Sequence, residues 1–137
     1  MSDQLGLISQ GIIAALKAHS GVAALVGTRI YPVLIPKGAG RPAITVQLIH
    51  AKPSGEMRNN NIESSRWQVS AWGDNYGSIR PVVAQIIDCL VGLSGSLAGK
   101  IDVEQVFFED QVDLAERPTD AEGIGFYHIP TDVVVWS

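Results

Sequence analysis

Ala43-Ile44-Thr45-Val46-Gln47-Leu48-Ile49-His50-Ala51-Lys52 places Ile44, Val46 and Leu48 on one side of an extended chain and Thr45 and Gln47 on the other. That period of two marks a half-buried strand. A second strand, from about Ile62 to Trp72, alternates Trp67, Val69 and Ala71 with Arg66, Gln68, Ser70 and Trp72. Pro53-Ser54-Gly55 ends the first strand, and Glu56 through Asn61 is polar apart from Met57, so the two strands are expected to pair antiparallel across a long loop. A sheet with one apolar face needs a second layer to cover it.

The flanking segments supply that layer. Leu5, Ile8, Ile12, Ile13 and Leu16 recur at three- and four-residue spacing, which predicts a helix from a cap at Asp3 to about Ala18. Val22 to Val26 reads as a short helical turn closed by Gly27, Ile30-Tyr31-Pro32 as a short extended piece, and Val33 to Arg41 as a loop. Asp74 or Asn75 caps a second main helix, in which Ile79, Val82, Val83, Ile86, Ile87, Leu90 and Val91 form a broad apolar face and Pro81 sits in the first turns. Gly92 to Gly99 reads as a flexible connector. A third strand follows from about Lys100 to Phe108, and a fourth from Ile124 to Trp136.

Pro130 lacks an amide donor, which predicts that the fourth strand is an edge or is bulged there, with the edge completed by a neighbouring subunit. The predicted fold is an α+β two-layer sandwich, a four-stranded antiparallel or mixed sheet with two main helices on one face. Element order alone leaves open whether the second and third strands are neighbours.

A chain of 137 residues, 46% of them hydrophobic, fits one domain spanning 1–137. Its net charge of -4 argues against a surface that grips nucleic-acid phosphate. No apolar run approaches the roughly 20 residues that cross a bilayer, and the N-terminus lacks a basic-then-apolar leader, so a soluble, unsecreted protein is expected. The one cysteine, Cys89, lies in an apolar helical run and reads as core in a reducing compartment.

Chemistry-bearing patterns are sparse. His19, His50 and His128 lack metal-ligand spacing, although His50 and His128 could meet across a sheet. Ser94-Gly95-Ser96 is not a nucleophile elbow, and Gly38-Ala39-Gly40 precedes no helix start that would cradle phosphate. No catalytic, metal or cofactor site is expected.

Charge is uneven along the chain. Arg29, Lys37, Arg41, Lys52, Arg58 and Arg66 come early, whereas Glu109, Asp110, Asp113, Glu116, Asp120 and Glu122 crowd the segment between the third and fourth strands. Unlike surfaces on one subunit suit a head-to-tail contact. The candidate subunit or tube interface therefore comprises Arg29, Met57, Arg58, Asn59, Asn60, Asn61, Arg66, Glu109, Asp110, Asp113 and Glu116, centred on the loops Pro53 to Asn61 and Gln111 to Gly123.

One longer pattern carries a resemblance. His19-Ser20-Gly21-Val22-Ala23-Ala24-Leu25-Val26-Gly27-Thr28-Arg29-Ile30-Tyr31-Pro32 follows the first helix, and Pro42-Ala43-Ile44-Thr45-Val46-Gln47 comes next. Trp67-Gln68-Val69-Ser70-Ala71-Trp72-Gly73 then precedes the long helix, and Val133-Val134-Val135-Trp136 closes the chain. This succession resembles the tail-completion, or tail-to-head joining, proteins of long-tailed bacteriophages and prophages, the tail terminators. The resemblance implies a non-enzymatic virion protein that assembles in the host cytoplasm as a ring, commonly six-membered, on the head-proximal end of the tail tube. Its implied partners are copies of itself, the tail tube protein and the head connector, with DNA passing through the lumen unbound and no membrane involved. Alternatives are a head-completion or neck adaptor and, from another class, a small-ligand-binding α+β domain. The apolar segments lack the convergent polar groups that such a ligand site needs.

Overall fold

The computed structural model describes residues 4–53, 62–116 and 126–137, with only the backbone at 115, 116 and 126. Its elements run α1 (Gln4–Ala18), α2 (Ser20–Val26), β1 (Ile30–Pro32), β2 (Ala43–Pro53), β3 (Ile62–Gly73), α3 (Tyr76–Leu90), β4 (Gly95–Leu97), β5 (Ile101–Val103), β6 (Gln105–Gln111), β7 (Leu114–Glu116) and β8 (Phe126–Trp136). The main sheet has the order β1-β2-β3-β8-β6, and β7 pairs with β8 beyond the end of β6. It is mixed, because β1 runs parallel to β2 while the other pairs are antiparallel.

The two-layer α+β sandwich expected from the sequence is the observed architecture. Short strands and a third helix add to the four strands and two helices that periodicity reveals. Register aligns the apolar alternations: Val46 stands opposite Val69, Val69 opposite Thr131, Ala71 opposite Ile129 and Trp67 opposite Val133. Ile8, Ile12 and Leu16 of α1 and Ile79, Val82, Val83, Ile86 and Leu90 of α3 cover that face and are buried with it. Burying each such side chain contributes roughly 1.5–3 kcal/mol.

Local chemistry sets the helix ends. The His19 ring nitrogen Nδ1 accepts the Val22 amide at 3.3 Å and caps α2. Asn75 caps α3 by accepting the Gly77 amide at 2.8 Å. Ahead of it, Gly73 lets the end of β3 pass so close to Ile79 that a Cβ there would collide with the Ile79 side chain. The Asp3 cap lies outside the described residues.

Three expectations are corrected. The Gly92 to Gly99 connector contains β4, which pairs with β5 and buries Leu97 against Gly11 of α1. A lone leucine among glycines and serines has no periodicity to announce it. The third strand is correspondingly divided, into β5 and β6.

β8 is not an edge, since it lies between β3 and β6. Pro130 is tolerated because the ladder on its far side passes there from β6 to β7, and at that junction its carbonyl accepts the Val112 amide at 3.3 Å. Element order left the relation of the second and third predicted strands open, and in the sheet β8 separates β3 from β6.

The approach of His50 to His128 that the sequence allowed, without favouring a site, does not occur. His50 stands opposite Arg66 and His128 opposite Trp72, on the two flanks of β3 and towards its opposite ends.

Candidate functional site

The face of the sheet turned away from the helices is polar at its centre. Arg66 on β3 donates from Nε and Nη2 to Asp132 Oδ2 on β8 at 3.0 and 2.7 Å, and Gln68 reaches Oδ1 at 3.5 Å. These residues pair because β3 and β8 run side by side, although they lie 66 residues apart. The hydrogen bond to Asp132 raises the Arg66 pKa above its ordinary value, and the charges of Glu109 and Asp110 on β6 act in the same direction. So the early basic residue and the late acidic ones share one surface across β3, β8 and β6.

Towards the other end of this face, the Trp72 and His128 rings stack with centroids 3.7 Å apart and planes 8° from parallel. The Trp72 indole N–H donates to Thr45 Oγ1 at 2.9 Å. Beside them a groove of about 200 Å³ is lined by Val33, Leu34, Ile35, Arg41, Thr45 and Trp72. Arg41 forms an ion pair with Asp74 at 2.8 Å.

The backbone at the groove's rim is strained. Val33 has φ +62°, and the Leu34 amide donates to the Pro32 carbonyl at 2.6 Å, a three-residue turn. A β-branched residue rarely adopts a positive φ, and this sign of φ belongs to the less stable form of the γ-turn. The turn leaves Val33 53% and Leu34 76% exposed. The turn falls within the expected loop from Val33 to Arg41, where the one sequence signal of exposure is an apolar triplet, Val33-Leu34-Ile35, inside a proline- and glycine-rich segment.

The opposite edge is also apolar. Phe107 and Phe108 of β6, Val112 after it and Leu114 of β7 are exposed, interleaved with the exposed Glu109, Asp110 and Asp113. Asp113 accepts the Tyr76 hydroxyl at 2.9 Å and sits 3.6 Å from Arg80. Its hydrogen bond raises the Tyr76 pKa above the ordinary phenol value. Tyr76 in turn meets Tyr127 edge-on.

Of the interface candidates, Arg29 is half-buried and donates from Nε to the Pro42 carbonyl at 2.8 Å. Arg66 is tied to Asp132, and Glu109, Asp110 and Asp113 line the β6–β7 edge. Glu116 is placed on that edge by its backbone alone. Met57, Arg58, Asn59, Asn60 and Asn61, together with Asp120 and Glu122, lie outside the described residues.

Among the described residues, no group of three or more His, Cys, Asp and Glu side chains is arranged to hold a metal ion, and no helix is long and apolar enough to cross a membrane. Exposed apolar edges beside charged residues are the kind of surface that proteins use to contact one another. The model of the family described as "Tail completion protein gp17" matches residues 10–133. The chain belongs to this tail-completion family. It is accordingly a structural protein of a phage-type tail.

The fold has a counterpart in a solved assembly. A chain of the "Virion of native gene transfer agent (GTA) particle" is similar, with a TM-score of 0.70 and 18% sequence identity, over 99% of this chain and 98% of that one. At that identity the likeness concerns the fold. No curated protein matches the tail-completion chain.

Proposed function

We propose that this tail-completion protein forms a closed ring, commonly of six copies in proteins of this kind, that ends the tail tube at its head-proximal end and joins it to the head connector. The observation that carries this reading is the family match across residues 10–133. The work is binding rather than catalysis. One ring face fits the tube, the other fits the neck, and DNA crosses a lumen whose negative charge avoids trapping phosphate. Assembly takes place in the host cytoplasm and the ring stays in the virion tail.

Subunit and tube contacts are assigned to Arg29, Met57, Arg58, Asn59, Asn60, Asn61, Arg66, Glu109, Asp110, Asp113 and Glu116. Support comes from the charge of Arg29, Arg66, Glu109, Asp110 and Asp113 and from the place of the last three along the β6–β7 edge; Met57 to Asn61 rest on the polar character of their segment in the sequence.

The test is deletion of the gene in its parental phage, with the lysate imaged by electron microscopy. Filled heads beside unattached tails of irregular length are expected. Tails of uniform length beside leaking heads would instead identify a neck adaptor, and intact infectious particles would overturn the reading. Complementation with a variant lacking Met57 to Asn61 should leave tails unattached; restored particles would remove that loop from the interface.

A further inference from the structure

Both edges of the main sheet are unfinished, and they are unlike one another. On one side β1 covers β2 only from Ile44 to Val46, and the Val33 amide adds a bond to the Val46 carbonyl at 3.0 Å. Beyond that point, no strand among the described residues lies against β2, whose Leu48 and Ile49 are exposed. Ile49 is an extra residue in the ladder, because pairing slips between Leu48 and His50. Above this bare stretch the strained turn at Val33 projects Val33 and Leu34 outward.

On the other side, Val106 of β6 turns its amide and carbonyl away from β8, to Leu93 and Gly92 at 3.0 and 2.9 Å. By the alternation of an antiparallel ladder, Phe108 faces the same way. No strand among the described residues lies against β6 there. Exposed apolar strand edges are ordinarily blunted or covered, because they pair with other chains.

We infer that the β6–β7 edge of one subunit, led by Phe107, Phe108 and Leu114, docks against the β1–β2 edge of the next, where Val33, Leu34, Leu48 and Ile49 receive it. Three observations select a second copy of this chain as the occupant. The two apolar edges lie on opposite sides of one sheet, so their union is head-to-tail and can close into a ring. Their charges are complementary: Lys37 follows the turn in sequence and Arg41 lines the groove beside Val33 and Leu34 while sharing its charge with Asp74, whereas Glu109 and Asp110 follow Phe108.

The third is the strain at Val33. A positive φ at valine costs free energy in the isolated subunit and persists where the surroundings impose it, a feature that clusters at functional contacts. Here it holds two apolar side chains in water, and burial against a neighbour recovers that exposure. The inference rests on the ring reading and adds which surfaces join.

The test is disulfide trapping. Subunits carrying Leu34→Cys are mixed with subunits carrying Phe108→Cys under mild oxidation, free in solution and on purified tail tubes, while light scattering reports the mass of the wild type. Both positions are exposed, so each variant is expected to keep the wild-type circular dichroism. The mixture should yield a covalent dimer that neither variant yields alone. The chain bearing both cysteines should give a ladder ending at the ring size.

Replacing Glu109 and Asp110 by lysine should lower the cross-linked yield several-fold at low salt and much less at high salt. A multimer that cross-links through Leu34→Cys alone, or not at all between the two sites, would overturn the edge assignment while leaving the ring intact. Wild-type protein that stays monomeric both free and on tubes would overturn both.

Discussion

Gly11 and Leu97 offer a quantitative test of how the small hairpin is held. A Cβ at position 11 would lie 2.8 Å from Leu97 Cγ, 2.9 Å from Cδ2 and 3.0 Å from the Leu97 carbonyl oxygen. Leu97 is 1% exposed. Leu97→Ala alone empties the space beneath α1 and should cost about 3 kcal/mol.

Gly11→Ala alone gains about 1 kcal/mol of helix propensity, and overpacking against Leu97 costs about 1–3 kcal/mol, so it should be neutral to destabilising. In the Leu97→Ala background Cγ and Cδ2 are gone and only the carbonyl contact remains. The added methyl then occupies part of the cavity, and Gly11→Ala should stabilise by about 1 kcal/mol. The coupling between the two sites is the overpacking term, about 1–3 kcal/mol.

Urea unfolding of the four proteins, followed by tryptophan fluorescence, measures each stability from midpoint and slope. Equal, low protein concentrations keep association from adding to the stability. Effects additive within about 0.5 kcal/mol would refute the packing of β4 against α1.

Further outcomes concern Cys89 and two ion pairs. Burial pushes the Cys89 thiol up to about 11, so the native protein should resist thiol reagents at neutral and mildly alkaline pH and react fully in denaturant. The folded state keeps this proton while the unfolded state releases it near its ordinary value. Stability therefore falls as pH rises from about 9 towards 11, and Cys89→Ala should lack that part of the alkaline slope in pH-dependent unfolding. Arg66→Ala should lower the urea midpoint measurably, because it strips a two-bond partner from Asp132, whose side chain is only 14% exposed. Lys52→Ala, whose single 3.3 Å contact with Glu63 is largely in water, should cost less than about 0.5 kcal/mol. Equal losses in the two variants by urea unfolding would refute the distinction.

The long elements were legible because each buries one face. Ile44 and Val46 in β2, Trp67 and Val69 in β3, and the stripes of α1 and α3 all show the period of the structure they form. The interface was less legible. The uneven charge could be read from residue order, but Arg66 was grouped with a basic segment, and the structure ties it to Asp132 and brings Glu109 and Asp110 near it. The exposed turn at Val33 runs against what valine prefers, so no local rule announces it.

By itself, the sequence determined the class of fold, the two covering helices, the buried face of the central strands and the family pattern. Those follow from periodicity and from residue types acting over a few neighbours. Tertiary structure alone decided that β8 lies inside the sheet despite Pro130, that β4 exists and the third strand divides into β5 and β6, and that the sheet ends in two unlike apolar edges. Three-residue strands are too short to show a period. A proline is harmless or harmful to a ladder according to which partner stands opposite its missing amide, and here long-range pairing placed the gap between β6 and β7 beside it.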